Sequence, residues 1–324
     1  MMKLSTMKLV METLDEKWQS RLAEELLSPW DYEPGTVYFV RASANFIFRF
    51  KYKRRGYFLR FNSAEEKELS GIQCELDILD QLSRNEKRTV KPVVSKKGNT
   101  VEKSVTLQGT FYSSVFEELP GSHIDLEKMD SSHLYEWGRA LGSLHNQFSK
   151  LPDGYLECRD DPQSLLETIK GWLPARSLKV ERESARIETE ISSWPKGRDT
   201  YGYIHFDCEP DNVLFNEGIT GIIDFDDSMK NWYGADIIYA LRDLGEFNEE
   251  NERLKVFLQG YRSRFKLEAD FFEKADWYIR FHQLYMYARM LRSVDIQEQT
   301  SDPNWLRVLR NKLLSKIEQY ETDL

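Results

Sequence analysis

Cysteine is scarce in this 324-residue chain: Cys74, Cys158 and Cys208 stand far apart, with no Cys-x-x-Cys pair. An odd, scattered set of three argues against a disulfide framework and a zinc site, and favours a reducing cytoplasm. Cys208 reads as a small packed residue, because free cysteine is so often buried. Long apolar runs are also missing; none approaches the roughly 18 residues that would suggest a membrane span. The short apolar stretch around Lys3 and Lys8 runs into Glu12, Asp15 and Glu16, which fits an amphipathic helix better than a signal peptide. No internal repeat or low-complexity segment interrupts the chain. There is neither a Gly-x-Gly-x-x-Gly loop nor a Walker-type Gly-Lys-Ser/Thr.

What is present is an ordinary globular composition with 40% hydrophobic and 31% charged residues. The formal net charge of −9 is uneven. Residues 1–118 hold 19 Lys/Arg against 17 Asp/Glu, or +2, and residues 119–324 hold 26 against 37, or −11. Without clustered positive charge, nucleic acid is an unfavourable partner. The acidic field favours a cationic small substrate; acidic helices that merely keep the chain soluble fit the same numbers.

Apolar spacing predicts a helix over 7–27, strands over 37–50 and 57–61 with a long basic connection at 51–56, and a helix over 64–82. Strand-like runs follow at 100–107 and 110–117, and Leu119-Pro120-Gly121 breaks the chain. Beyond it the pattern turns helical, beginning with a helix capped by Ser131 or Ser132. The layout is α+β: a small β-rich lobe over 1–118 and a larger, mostly helical lobe over 119–324, with a ligand between them.

The chemistry concentrates in Tyr203-Ile-His-Phe-Asp-Cys-Glu-Pro-Asp-Asn-Val-Leu-Phe215, followed by Gly221-Ile-Ile-Asp-Phe-Asp-Asp227. His205, Asp207, Asn212 and Asp224 stand in the order that phosphoryl transfer from ATP uses, giving a base and two oxygen ligands for a metal. Asp207 is the candidate catalytic base. Asn212 and Asp224 offer the hard oxygens that Mg²⁺ prefers, with phosphates and waters completing the octahedron. His205 reads as a support of the loop.

These motifs, with Asp236 after them, resemble the aminoglycoside phosphotransferase and choline kinase family, and the likeness runs from about residue 36 to about 245. It implies a bilobal protein-kinase-like fold, ATP and Mg²⁺ as cofactors, and transfer to a hydroxyl of a small molecule. By resemblance, Arg60 meets the nucleotide phosphates and pairs with Glu75. Ser43 and Asn45 belong to the phosphate-covering loop, and the backbone near Glu118 holds the adenine. His205 hydrogen-bonds the backbone around Asp224, and Asp236 supports the site as an N-cap or loop anchor. Candidate acceptor contacts are Asp226, Asp227, Tyr278, His282 and Tyr285, with solvated turn carboxylates and helical core packing as the competing readings. Phe206 stands where protein kinases have Arg, and the interval from Asp224 to Asp236 is too short for an activation loop, so a small-molecule acceptor follows more naturally than a protein. The absent glycine loop motivates an alternative, a non-catalytic scaffold of the same fold.

Overall fold

The computed structural model describes residues 1–85, 89–155, 158–173 and 178–323. Two short helices, α1 (Leu4–Met11) and α2 (Arg21–Leu27), replace the single helix expected over 7–27. The break is local: the Asp15 carboxylate accepts the N–H groups of Lys17 and Gln19, both at 2.9 Å, and so offers the backbone an alternative to helix. Ser20 then caps α2 by accepting from the Ala23 N–H.

An antiparallel sheet follows, with strand order β1 (Tyr38–Ala42), β2 (Phe46–Tyr52), β3 (Arg55–Ser63), β6 (Gly109–Glu117), β4 (Pro92–Val93); β5 (Val101–Thr106) also pairs with β6. Along β2, Phe46, Phe48 and Phe50 are buried while Arg49 and Lys51 are exposed, the period-2 pattern of a one-sided sheet. The basic connection is tighter than its composition suggests. β2 and β3 run to Tyr52 and from Arg55, leaving Lys53 and Arg54 as a two-residue turn with φ of 48° and 64°. Helix α3 (Leu69–Asn85) begins five residues later than expected.

The rest is mainly helical: α4 (Ser131–Phe148), α5 (Pro162–Trp172), α6 (Leu178–Ser192), α7 (Tyr233–Ala240), α8 (Glu252–Arg262), α9 (Phe271–Ser293) and α10 (Asn304–Asp323). Asp130, rather than Ser131 or Ser132, caps α4 by accepting the His133 N–H at 3.0 Å. Two small antiparallel ladders lie among these helices, β7 (Tyr201–Ile204) with β10 (Met229–Trp232), and β8 (Val213–Asn216) with β9 (Ile219–Ile222). Helices α4 and α8 touch backbone to backbone: a Cβ on Gly138 would lie 2.0 Å from the Phe257 carbonyl oxygen.

The cysteine expectation is corrected. Cys74 on α3 and Cys158 before α5 form a disulfide across 84 residues, their Cα atoms 6.1 Å apart. Their separation along the chain gave no hint of this pairing, because the tertiary fold alone brings them together. Cys208 is free and buried, as read.

Phe206 adopts φ of 71°, a conformation that favours glycine, while its ring is buried against Tyr239 and Tyr285 at centroid distances of 5.1 and 5.2 Å. Relieving the left-handed backbone returns about 1–2 kcal/mol, whereas losing a buried phenyl ring costs about 3–5 kcal/mol. Phe206→Gly is therefore expected to lower stability by about 2 kcal/mol, read as a reduced urea midpoint at unchanged slope. An unchanged or higher midpoint contradicts the packing account.

Candidate active site

β7 carries the chain into the loop 205–212, and α7 holds that loop from behind. Asp236, on α7, is fully buried and is not the helix cap, which is Trp232. Its two carboxylate oxygens accept the backbone N–H groups of His205 and Phe206, each at 2.8 Å. The oxygen that takes the His205 N–H also lies 2.9 Å from His145 Nε2, and His145 Nδ1 lies 2.8 Å from the Tyr261 hydroxyl. Asp236 is thus a loop anchor.

His205 Nε2 donates to the Ile223 carbonyl at 3.0 Å, and Nδ1 accepts the Asp207 N–H at 3.3 Å, which fixes the neutral tautomer. Burial lowers its pKa, so the ring stays uncharged. It links the two segments that carry Asp207 and Asp224. Asn212 Nδ2 donates to the Asp207 carbonyl at 2.7 Å and to its carboxylate at 3.1 Å, leaving the amide oxygen as the atom available to a metal.

Asp224 follows β9 with φ of 63°, and one of its carboxylate oxygens is buried without a hydrogen-bond partner. Burial and the nearby Asp226 push its carboxyl up to about 7, opposed by Arg60. An orphaned carboxylate oxygen beside an amide oxygen fits a hard divalent cation. Among the described residues no group of three His, Cys, Asp or Glu could hold a metal alone. Two protein oxygens plus phosphate oxygens is therefore the arrangement the residues allow.

Arg60 on β3 and Glu75 on α3 form a bidentate pair at 2.7 and 2.8 Å, both side chains buried, with Asp224 4.0 Å from the guanidinium. They line a cavity of about 350 Å³ together with Ile47, Leu79, Phe116, Leu214, Asn212 and Asp224. Apolar walls ending in a cation and two oxygen ligands suit a nucleotide. Glu118 sits at its rim, but its N–H is taken by the Gly56 carbonyl at 3.1 Å and its carboxylate by Arg49. The Glu118 N–H is therefore already engaged and not free for the adenine contact expected near it. Ser43 lies in the β1–β2 turn, where its N–H donates to the Asn45 carbonyl. Asn45 points into the sheet, against Asn62, whose amide also donates to the Ala44 carbonyl at 3.2 Å. Asn62 braces from below a turn that has no glycines.

On the other side of Asp207 lies a cavity of about 210 Å³ lined by Ser43, Phe206, Asp224, Asp226, Asp227, His282 and Tyr285. Asp226 and Asp227 are neither solvated nor free: Lys67 binds Asp226 at 2.8 Å, and Arg289 binds Asp227 at 2.6 Å. Against the penalty of burial, these cations hold both carboxyls below the usual range. His282 is kept neutral, its pKa driven down to about 3 by burial and by Arg242 and Arg289. Tyr278 is corrected as an acceptor contact: it donates to Glu268 at 2.9 Å, packs on Trp194 and lies outside the cavities described. Sequence spacing also missed Lys67, Arg289, Arg242 and Glu209. Arg242 pairs with Glu209 and stands 3.9 Å from Asp207. Burial and Asp207 push Glu209 up to about 7, with Arg242 opposing. Only Glu209, two residues after Asp207, had a local signal. Residues Met1 and Met2 of the N-terminal segment also reach the site, Met1 lining this cavity and Met2 donating its N–H to the Ser43 carbonyl at 2.8 Å.

Comparison with known proteins places this geometry in context. The sequence pattern described as "Phosphotransferase enzyme family" matches residues 39–272. An amicoumacin kinase of Bacillus subtilis (strain 168) is 22% identical over 292 residues, 86% of each chain. A homoserine kinase of Rhizobium meliloti (strain 1021) is 28% identical over 162 residues, 45% of this chain and 46% of its own. Among solved structures, an amicoumacin kinase in complex with AMP-PNP, Ca²⁺ and Ami superposes with a TM-score of 0.75 at 19% identity, covering 96% of this chain and 95% of that one. A microcompartment-associated aminopropanol kinase gives 0.69 at 20% identity, covering 93% and 97%. The fold is protein-kinase-like, an antiparallel sheet region followed by a mainly helical one.

The Arg60–Glu75 pair yields a direct test. Removing one charge of a buried pair strands the other, at about 3–5 kcal/mol. Glu75→Gln is expected to lower unfolding stability by that order and to weaken nucleotide binding, measured by urea titration and calorimetry. Native stability in the variant contradicts the pairing.

Proposed function

We propose, from the premise that this chain belongs to the phosphotransferase enzyme family, that it transfers the γ-phosphoryl group of ATP to a hydroxyl of a small hydroxylated amine, with Mg²⁺ as the metal. The observation that supports it best is the grouping of Asp207, steadied by Asn212 Nδ2 at 3.1 Å, with the unpartnered oxygen of Asp224 on one cavity wall. Aminopropanol, homoserine and choline, which the descriptions of similar kinases name, are all hydroxylated amines.

In this reading residues 1–118 hold the nucleotide and residues 119–324 the acceptor, with the N-terminal segment reaching across to the acceptor side. Arg60, held by Glu75, faces the phosphates. Asn212 and Asp224 would hold the metal, and Mg²⁺, when bound, draws negative charge from the phosphate oxygens. Asp207 orients the acceptor hydroxyl and takes its proton as the oxygen–phosphorus bond forms and the bond to the departing ADP oxygen breaks. Positioning contributes more than proton abstraction. His205 and Asp236 hold the loop. Because Lys67, Arg289 and Arg242 pair with Asp226, Asp227 and Glu209, the carboxylate left to meet the acceptor is Asp207, which Arg242 approaches only to 3.9 Å.

ADP release across a panel of amino alcohols, aminoglycosides, homoserine and sugars tests the proposal. Asp207→Asn is expected to reduce kcat roughly 10³-fold while the nucleotide still binds. Activity retained in Asp207→Asn sinks the base assignment. No thermal shift with Mg·ATP in the wild-type chain returns it to the scaffold alternative.

A further inference from the structure

Arg159 lies in the short segment between the disulfide at Cys158 and helix α5, and its guanidinium donates to four backbone carbonyls. Nε donates to the Ser228 carbonyl at 2.7 Å, Nη1 to the Gly71 carbonyl at 3.1 Å, and Nη2 to the Asp226 and Phe225 carbonyls at 2.5 and 3.4 Å. Among the described residues no carboxylate stands within ion-pair distance of it, and the residue is half-buried, lining a cavity of about 680 Å³. Burying a cation without a counter-ion is unfavourable compared with an apolar residue of similar volume. Its hydrogen bonds, not a salt bridge, are what the position retains.

The four acceptors share a logic. One is on α3, four residues before Glu75, and three belong to the turn that immediately follows Asp224. Asp224 sits at φ of 63°, a strained backbone state that persists only when its surroundings impose it. The segment carrying Arg159 is itself anchored: the disulfide ties Cys158 to Cys74, and the Asp160 carbonyl accepts the Lys230 N–H at 2.8 Å.

We infer that Arg159 is a positioning residue that locks the Asp224 turn to α3, setting the Asp224 carboxylate for the metal while Glu75 sets Arg60. This rests on the reading of Asp224 as a metal ligand. A backbone clamp of this kind acts on the metal through Asp224 and leaves the apolar nucleotide cavity intact, since Arg159 does not line it.

The test uses Arg159→Met and Arg159→Lys in the full-length chain. Mn²⁺ is titrated by electron paramagnetic resonance in the presence of a non-hydrolysable ATP analogue, and the same analogue is titrated without metal. Both variants are expected to weaken Mn²⁺ binding about tenfold, a loss of roughly 1.4 kcal/mol, with metal-free analogue affinity within about twofold of wild type. In turnover, the Mg²⁺ concentration for half-maximal rate rises while the acceptor KM holds. Should Arg159→Met lose its cooperative melt, Arg159→Lys carries the comparison, because one ammonium cannot serve four separated carbonyls. A variant that melts lower but titrates Mn²⁺ as wild type does overturns the inference and leaves an ordinary structural clamp. The premise fails separately: Asp224→Asn with wild-type Mn²⁺ affinity removes the metal-ligand reading whatever Arg159 does.

Discussion

The loop over residues 205–212 depends on one buried carboxylate. Asp236 accepts two consecutive backbone N–H groups at the point where β7 ends, and it does so from the interior of α7, fully screened from water. Without it, those two donors would be buried without partners, each costing about 1–3 kcal/mol. The loop would also lose the constraint that imposes φ of 71° on Phe206. With it, the loop is held at its root, His205 crosses to the Ile223 carbonyl, and Asp207 is delivered beside Asn212. The chemistry of the loop is exposed to ligands, but its geometry is decided in the core.

The second organising constraint is charge compensation. The helical part of the chain is strongly acidic, yet the carboxylates nearest the site are individually paired: Asp226 with Lys67, Asp227 with Arg289, Glu66 with Arg292, Glu209 with Arg242. Two of these pairs, Lys67–Asp226 and Glu66–Arg292, join the segment after β3 to residues more than 150 positions away. They therefore fasten the sheet-bearing part to the helical part while offsetting negative charge beside the cavities on the Asp207 side. Asp224 differs from these acids: one of its buried oxygens accepts no hydrogen bond and meets Arg60 only at 4.0 Å.

Much of this was legible in the sequence, and the legible part was local. His205, Asp207, Asn212 and Asp224 lie within 20 residues, in the loop after β7 and just past β9, so their spacing along the chain nearly determines their spacing in space. The strands β2, β3, β5 and β6 announced themselves as β-rich, largely aromatic runs, and β2 also buries alternate residues. The break after α1 was missed because an Asp side chain satisfied the backbone instead of the helix ladder. Lys67, Arg289 and Arg159 were missed for a different reason. Each acts on a partner 60 or more residues away, and a lone cation in a charged sequence carries no positional signal. The Cys74–Cys158 pair is the same case in covalent form.

That disulfide has a mechanical consequence. The chain passes from the sheet to the helices once through Leu119-Pro120-Gly121, and the sulfur bridge adds a second covalent crossing between α3 and the segment before α5. A body joined to another at one point can swing open about it. Joined at two separated points, it keeps chiefly the rotation about the line through both. The second crossing therefore limits that swing more than the Leu119-Pro120-Gly121 connection does by itself.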